Sequence, residues 1–316
     1  IYGSLGTGTW LTQETKTRAS SSYMLNLTVL PNTDGVSRTA YIYFVKVTDM
    51  ESIVVEMVTI IQRGEVASET TDYSSDKKVR VLQTAKLGKG LPIVLMGDGF
   101  IDTEINDGTY DAVMDKAFEN LFTEEPIKSL RDYFNVYAVT AVSKHNIFGT
   151  GYETALGCEL AGGNSTGISG EDNAVQRYVQ CVDNIDMSET LAVVILNSPA
   201  YAGTTYFGYT NQTKVVEFAI AYCPVIYDLQ SESFRQVLVH EAVGHGFAKL
   251  EDEYAYQENG TISSKEIKNV QYLQTLGWAQ NVDFTSDPSQ VLWSAFLNDN
   301  RYVSEKLGVF EGACTY

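Results

Sequence analysis

Residues 237–254 read VLVHEAVGHGFAKLEDEY, and this stretch contains two of the three histidines in the 316-residue chain. The nearest familiar pattern is H-E-x-x-H on a helix, in which histidines four residues apart bind zinc and the glutamate is the general base. Here His240 and His245 are five residues apart. At 3.6 residues per turn, this spacing directs the second side chain about 140° away from the first. A regular α-helix therefore cannot bring both imidazoles to one ion.

The residues around the histidines predict a helix with a local distortion. Ser233 and Gln236 fit a capping box, and an apolar stripe begins at Phe234. One inserted residue accommodated as a π-bulge, with a hydrogen bond from residue i to i+5, would return both histidines to one face. Such bulges are frequent at functional sites, and Gly244 is a residue that tolerates one. We therefore predict an i→i+5 distortion near Gly244.

A third metal ligand is expected from the acidic residues that follow. A catalytic zinc ion usually takes three protein ligands and one water, so two histidines leave it one ligand short. Gly246 is expected to end or bend the helix and let the chain return towards the histidines. The acids within reach are Glu251, Asp252 and Glu253, of which we favour Asp252, with Glu253 next. The predicted zinc ligands are thus His240, His245 and Asp252 or Glu253.

The alternative interpretation is that His240 and His245 are ordinary helix residues and that the acids are a solvated helix end. For two randomly placed histidines this interpretation would be the better one. The chain has only three histidines, however, and here the first is followed by Glu241 and the second by an acidic cluster. This conjunction favours zinc. Glu241, beside the first ligand, is the candidate general base.

The chain is predicted to have two domains. Residues 1–78 are rich in β-branched and aromatic residues without helical periodicity, as in YMLNLTVL and SIVVEMVTIIQRG, and indicate a β-sandwich accessory domain. The polar stretch near residues 70–78 suits a linker. Residues 79–316 alternate strands and helices, which indicates an α/β catalytic domain. In chain order we predict the strands VRVLQTA and LPIVLMGDGF, the helices DAVMDKAFENLF and PIKSLRDYF, and the strands NVYAVTAVS, TLAVVILNSP and VEFAIAYCPVIY.

Composition excludes some classes of partner. The chain has 40 acidic and 22 basic side chains, a formal net charge of −18, which disfavours binding to nucleic acid or anionic lipid. No apolar run approaches the roughly 20 residues of a membrane helix, and the first residues lack the regions of a signal peptide.

Cys158 and Cys181 flank a Gly-rich loop that a disulfide would close, although four free thiols are an equal alternative.

Three aspartates near one predicted strand end suggest a minor second site. Asp98 follows the strand directly, where α/β proteins often place ligand-binding groups. An Asx turn or a helix cap explains Asp98 equally well. Asp98, Asp102 and Asp107 are together a candidate calcium site, although no recognised calcium-loop pattern fits them.

Several motifs resemble one peptidase family. HEAVGHGFAKLEDEY, VLMGDGF, GTGYETALG, NVDF and FEGA, from about residue 85 onwards, resemble the M64 family of metallopeptidases, in its gut-bacterial branch. The H-E-x-x-x-H spacing is also that of the dipeptidyl peptidase III family, which binds zinc with both histidines. The M64 resemblance implies a zinc-dependent endopeptidase with a zincin-like fold that is secreted, periplasmic or held at the cell surface. Family members usually continue past FEGA into a segment with Y-R-P and a methionine, so we expect either a truncated catalytic domain or an impaired copy.

The amino-terminal region carries a second, shorter resemblance. NTDGVSRTAYIYF followed by VEMVTIIQRG resembles the BACON-type immunoglobulin-like modules that precede enzymes in secreted proteins of gut bacteria. The overall expectation is an α+β multidomain protein, with an immunoglobulin-like β-sandwich before an α/β zincin-like metallopeptidase domain.

Two main hypotheses for function follow. The first is a zinc-dependent endopeptidase acting on extracellular proteins or peptides, including host glycoproteins, through a metal-activated water. The strand AVVILNSP is a candidate for pairing with an extended substrate. The alternative is a catalytically impaired zincin-fold surface protein that binds a host glycoprotein or glycan. A zinc hydrolase acting on a non-peptide bond is a third idea.

Overall fold

The amino-terminal strands pair in two antiparallel sheets. The computed structural model describes residues 2–6, 11–18, 23–29, 38–47, 52–62, 67–160, 167–207, 218–253, 262–304 and 307–310. The first five strands are β1 (Tyr2–Gly6), β2 (Leu11–Arg18), β3 (Tyr23–Val29), β4 (Arg38–Val47) and β5 (Ser52–Gln62). β4 lies between β1 and β5, while β2 pairs with β3. The predicted β module is confirmed, and its immunoglobulin-like arrangement stays a prediction.

A six-stranded mixed sheet forms the centre of the rest of the chain. Its strands are β6 (Val79–Gln83), β7 (Leu91–Asp98), β8 (Phe134–Val139), β11 (Leu191–Leu196), β12 (Thr204–Phe207) and β13 (Ala219–Pro224); a separate hairpin contains β9 (Glu159–Leu160) and β10 (Ile168–Ser169). The sheet order is β12-β13-β11-β7-β8-β6. The four inner strands are parallel, and the two edge strands β6 and β12 are antiparallel to their neighbours. β11 and β13 are buried along their whole lengths, as continuous apolar runs in a parallel sheet require.

Helices cover both faces of this sheet. The α-helices are α1 (Asp102–Asn106), α2 (Thr109–Leu121), α3 (Asp172–Val179), α4 (Glu232–Val237), α5 (Ser264–Thr275) and α6 (Ser294–Leu297). Alternate residues of β7 enter different cores, with Leu95 packing on the face of α2 and α4, and Met96 on the face of α3. The mixed α/β class predicted for this region is confirmed. None of the described helices is long and apolar enough to cross a membrane.

Two local predictions were wrong. Residues 126–134 were expected to form a helix, but they form turns followed by a short 3₁₀-helix, Arg131–Tyr133. Ile127 and Phe134 of that segment are both buried, but Phe134 is already the first residue of β8, so the chain there is extended instead of helical. The polar stretch near residues 70–78 is not a free linker, because its backbone forms hydrogen bonds with residues of the mixed-sheet region. The amides of Thr71 and Asp72, for example, both donate to the carboxylate of Asp102.

Candidate metal centre

The helix that carries the histidines changes form within its length. α4 begins after Ser231, whose hydroxyl accepts a hydrogen bond from the amide of Phe234 at 3.1 Å. The predicted capping box at Ser233 and Gln236 is therefore wrong by two residues, and Ser231 is the cap. From Leu238 to Phe247 the chain continues as a ten-residue π-helix. The predicted i→i+5 distortion is confirmed, although it extends over two turns instead of a single bulge.

The π-helix solves the spacing problem of the two histidines. Its hydrogen bonds run from residue i to i+5, so residues five apart lie above one another on one face. The Nε2 atoms of His240 and His245 are accordingly 3.2 Å apart. Gly246 was expected to end or bend the helix, but the π-helix continues through it to Phe247. A Cβ atom there would lie 2.6 Å from Leu191, so the missing side chain lets the helix pack closely on β11.

The chain returns to the histidines through a turn at Lys249. Lys249 has a backbone φ of 56°, in the left-handed region, and this residue makes the reversal predicted for Gly246. The turn brings Asp252 back, and its Oδ1 lies 3.1 Å from Nε2 of His245 and 3.3 Å from Nε2 of His240. Glu253 points elsewhere, since its Oε1 accepts a hydrogen bond from Asn281 at 3.0 Å.

These three atoms have the spacing that a small tetrahedral ion requires. Zinc ligands lie about 2.0–2.1 Å from the metal, so two ligand atoms of a tetrahedral site are about 3.3 Å apart. The three observed separations are 3.1, 3.2 and 3.3 Å. Within the described part of the chain, His240, His245 and Asp252 are the only group of three or more metal-ligating side chains found this close together. The site therefore fits a zinc-sized cation.

Hydrogen bonding prepares His245 to act as a ligand through Nε2. Its Nδ1 lies 2.7 Å from the carbonyl oxygen of Leu250, which can only accept, so Nδ1 carries the proton and Nε2 faces the cluster. Burial lowers the pKa of His245, but Asp252 and the Leu250 carbonyl outweigh it and raise the pKa to about 9 in the metal-free protein. Burial raises the pKa of Asp252, whereas hydrogen bonds from both imidazoles bring it below its ordinary value.

Glu241 is buried beside the three candidate ligands and is held by the edge strand β12 and the residues next to it. Only 7% of the residue is exposed. Its Oε2 accepts a hydrogen bond from the hydroxyl of Thr205 at 2.8 Å. A Cβ atom on Gly203 would lie 2.6 Å from the other oxygen, Oε1, so the glycine leaves room for the carboxylate. Burial raises the pKa of Glu241, and the hydrogen bond from Thr205 offsets part of that rise.

Comparison with known families adds an independent observation. Residues 79–308, well over half of the chain, match the family model of the IgA peptidase M64. The chain belongs to the IgA peptidase M64 family. Membership implies a metallopeptidase, and hence a metal cofactor and a protein or peptide substrate. Residues 4–63 match the BACON model, described as an N-terminal binding domain. The search of curated proteins found no match.

Asp98 of the M64 region is a buried structural carboxylate. It is fully buried and accepts four hydrogen bonds, from the hydroxyls of Ser143 and Thr154 and from the amides of Leu156 and Cys158. The G-D-G-F motif thus anchors the GTGYETALG motif, and the two family motifs form one hydrogen-bonded unit.

The predicted calcium site and disulfide are not found among the described residues. The carboxylate of Asp102 accepts hydrogen bonds from residues 71–72, and the exposed Asp107 accepts one from the amide of Thr109. Neither joins Asp98 in a metal-ligating group. Cys158 and Cys181 are free thiols, so the proposed bridge between them is wrong.

Sequence reasoning missed the residues that orient the M64 site. Thr205 and Gly203 hold Glu241 from 36 and 38 positions earlier in the chain, and Asn281 contacts the loop of Asp252 from about 30 positions later. The only available signal was the NVDF motif, which was recognised as a family feature without a role. These contacts depend on how the elements pack, and no local pattern encodes them.

Proposed function

We propose that this chain is a zinc-dependent endopeptidase whose metal is bound by His240, His245 and Asp252. The observation that carries the proposal is the triangle of ligand atoms with edges of 3.1–3.3 Å, with the buried carboxylate of Glu241 beside it. Two imidazoles and one carboxylate are a donor set that suits catalytic zinc. Glu253 is not a ligand in this proposal, because its carboxylate binds Asn281.

The bound metal would supply a water of lowered pKa and would polarise the scissile carbonyl. Glu241 would take the proton of that water on its carboxylate and deliver it to the leaving amine. Its raised pKa suits this double role, because a higher pKa makes the carboxylate a stronger base, and a pKa nearer to the working pH lets the same group both accept and release the proton. The hydroxyl of Thr205 lies within hydrogen-bond distance of both Oε2 (2.8 Å) and the backbone carbonyl oxygen of Glu241 (2.9 Å), and so it holds this residue beside β12.

The substrate would lie along β12. The strand AVVILNSP, which the sequence suggested for substrate pairing, is β11, and both of its edges are occupied by β7 and β13. β12 is instead the strand at the end of the sheet, and Thr205 within it and Gly203 just before it both lie against Glu241. An extended peptide added to this edge would place its backbone next to the general base.

We also propose an extracellular setting with protein substrates. The family is named for cleavage of immunoglobulin A, which supports a host glycoprotein as the substrate and a secreted, periplasmic or cell-surface location. The amino-terminal match to a binding domain supports a role for residues 4–63 in holding such a partner.

The test compares wild type with Glu241→Gln against immunoglobulins, mucins and a peptide library. Glu241→Gln keeps the size of the side chain but removes the base, so cleavage should fall by about a hundredfold to ten-thousandfold while zinc content stays unchanged. Glu232→Gln, on the exposed surface of the same helical segment, is the matched control and should cleave like wild type. Undiminished cleavage by Glu241→Gln would refute the mechanism. No cleavage by zinc-loaded wild type would favour a binding protein.

A further inference from the structure

The side chain of Asn281 holds the loop that carries Asp252. Its Oδ1 accepts a hydrogen bond from the amide of Glu251 at 3.0 Å, and its Nδ2 donates to the carbonyl of Glu251 at 2.8 Å. Nδ2 donates its second hydrogen to Oε1 of Glu253, and these two heavy atoms are 3.0 Å apart. One amide group therefore binds both neighbours of Asp252 and uses all of its donors for this purpose.

Asn281 is itself fixed by the segment that follows α5. Gln274 on α5 donates to the carbonyl of Val282, the next residue after Asn281, at 2.9 Å. The amide of Ala279 donates to the carbonyl of Lys249 at 2.8 Å, which ties the same segment to the start of the return loop. Leu273, Trp278 and Ala279 are buried together beneath it. The position of Asn281 is therefore fixed by a well-packed segment of the chain.

This arrangement decides which of three consecutive acids faces the histidines. Glu251 is bound through its backbone, and Glu253 is bound through its carboxylate, so both are held by Asn281. Asp252, between them, is directed to the opposite side and towards the two Nε2 atoms. Only a side chain with both a donor and an acceptor can pair with a backbone amide and carbonyl in this way, which explains an amide at this position.

We propose that Asn281 is a positioning residue for the metal centre, which selects Asp252 as the third ligand and holds it in place. The inference rests on the proposed function, because it assumes the ligand set of His240, His245 and Asp252. Residues that orient metal ligands typically change metal affinity by about tenfold to a hundredfold when they are removed. Asn281→Ala should weaken zinc binding by that factor.

The experiment measures zinc affinity by competition with a chromogenic chelator, so it needs no substrate. Asn135→Ala is the matched control, because Asn135 forms the same kind of clamp, with the amide of Ala85 and the carbonyl of Lys89, at the start of β8. This control should keep wild-type zinc affinity. Asn281→Asp is the second variant, since it retains the acceptor for Glu251 but loses both donors, and it should also weaken binding.

A double-mutant comparison tests whether Asn281 acts through Asp252. In an Asp252→Ala background, Asn281→Ala should cause no further loss of zinc affinity, because the group that it orients is gone. An equal further loss in that background would overturn the proposal, as would wild-type affinity in both Asn281 variants. If His245→Ala bound zinc as tightly as wild type, the proposed metal centre itself would fail, and this outcome is separate from a failure of Asn281 alone.

Discussion

Replacement of Asp98 tests whether the G-D-G-F motif is a structural anchor or part of an ion site. In the structure its carboxylate is fully buried and accepts hydrogen bonds of 2.7–3.2 Å from four donors. Two of the donors are hydroxyls, which can rotate towards other acceptors. The other two are the backbone amides of Leu156 and Cys158, which cannot turn away.

The cost of Asp98→Ala follows from those two amides. A buried donor left without a partner costs about 1–3 kcal/mol, so two of them cost about 4 kcal/mol. In a domain of roughly 230 residues, 1 kcal/mol lowers the midpoint of thermal unfolding by about 2–4 °C. We expect Asp98→Ala to lower the midpoint by roughly 8–16 °C. Asp98→Asn, which keeps one acceptor oxygen, should lose about half as much.

Calorimetry of the full chain, with and without calcium or a chelator, measures these shifts. The control is Asp107→Ala, because Asp107 is exposed and accepts a single local hydrogen bond from the amide of Thr109. It should shift the midpoint by no more than a few degrees. If calcium raised the midpoint of wild type but not that of Asp98→Ala, Asp98 would be an ion ligand and the structural explanation would be refuted.

Two further predictions concern the metal centre. Thr205→Val removes the hydrogen bond to Glu241 and should lower kcat by about tenfold to a hundredfold, with little change in KM or zinc content. Thr205→Ser keeps the hydroxyl and should retain activity. Equal losses of activity in both variants would contradict a hydrogen-bonding role. The pKa of His245 is raised to about 9 in the metal-free protein, so zinc must displace a proton, and its apparent affinity should rise by up to about tenfold per pH unit between pH 6.5 and 9. Because the pKa of His245 is higher in the folded than in the unfolded chain, its protonation stabilises the metal-free protein. This stabilisation is fully present below about pH 6.5 and is lost as the pH rises through 9. Chelator competition and thermal unfolding at several pH values check both statements, and a pH-independent affinity would contradict the first.

The elements of the fold were predictable where one strong local signal dominated. Residues 91–98 and 191–196 are long apolar runs, and both are central strands. The apolar residues of 126–134 have helical spacing, but Phe134 already belongs to β8, and the helix prediction failed because the local pattern does not show where that strand begins. The polar composition near residue 72 suggested a linker, but composition cannot show that Asp102 will accept the backbone amides there.

The same distinction applies to the site. The pattern of His240, Glu241 and His245 is local, and so it showed the type of chemistry and the need for a distorted helix. The identity of the third acid is not local. Asp252, Glu251 and Glu253 have the same charge and adjacent positions, and their different orientations arise from Asn281, about 30 residues away in the chain. The sequence favoured Asp252 but left Glu251 and Glu253 open, because propensity and spacing do not show which of three adjacent acids turns towards the histidines.

The π-helix itself depends on packing more than on local sequence. A π-helix longer than a single turn is rare, so the ten residues 238–247 need support from the rest of the fold. Gly246 rests on Leu191 without space for a side chain, and the ring of Phe247 lies 5.1 Å from that of Phe134. Both contacts fix the carboxyl-terminal turn of the helix against the central sheet, immediately after His245. An α-helical form of the same residues would rotate these two contacts off the sheet and would also separate the two imidazoles. The change to an α-helix would thus break the packing of residues 246 and 247 on the sheet and the approach of the two imidazoles at the same time. Packing of the helix in the core and assembly of the proposed metal ligands therefore favour the same backbone conformation.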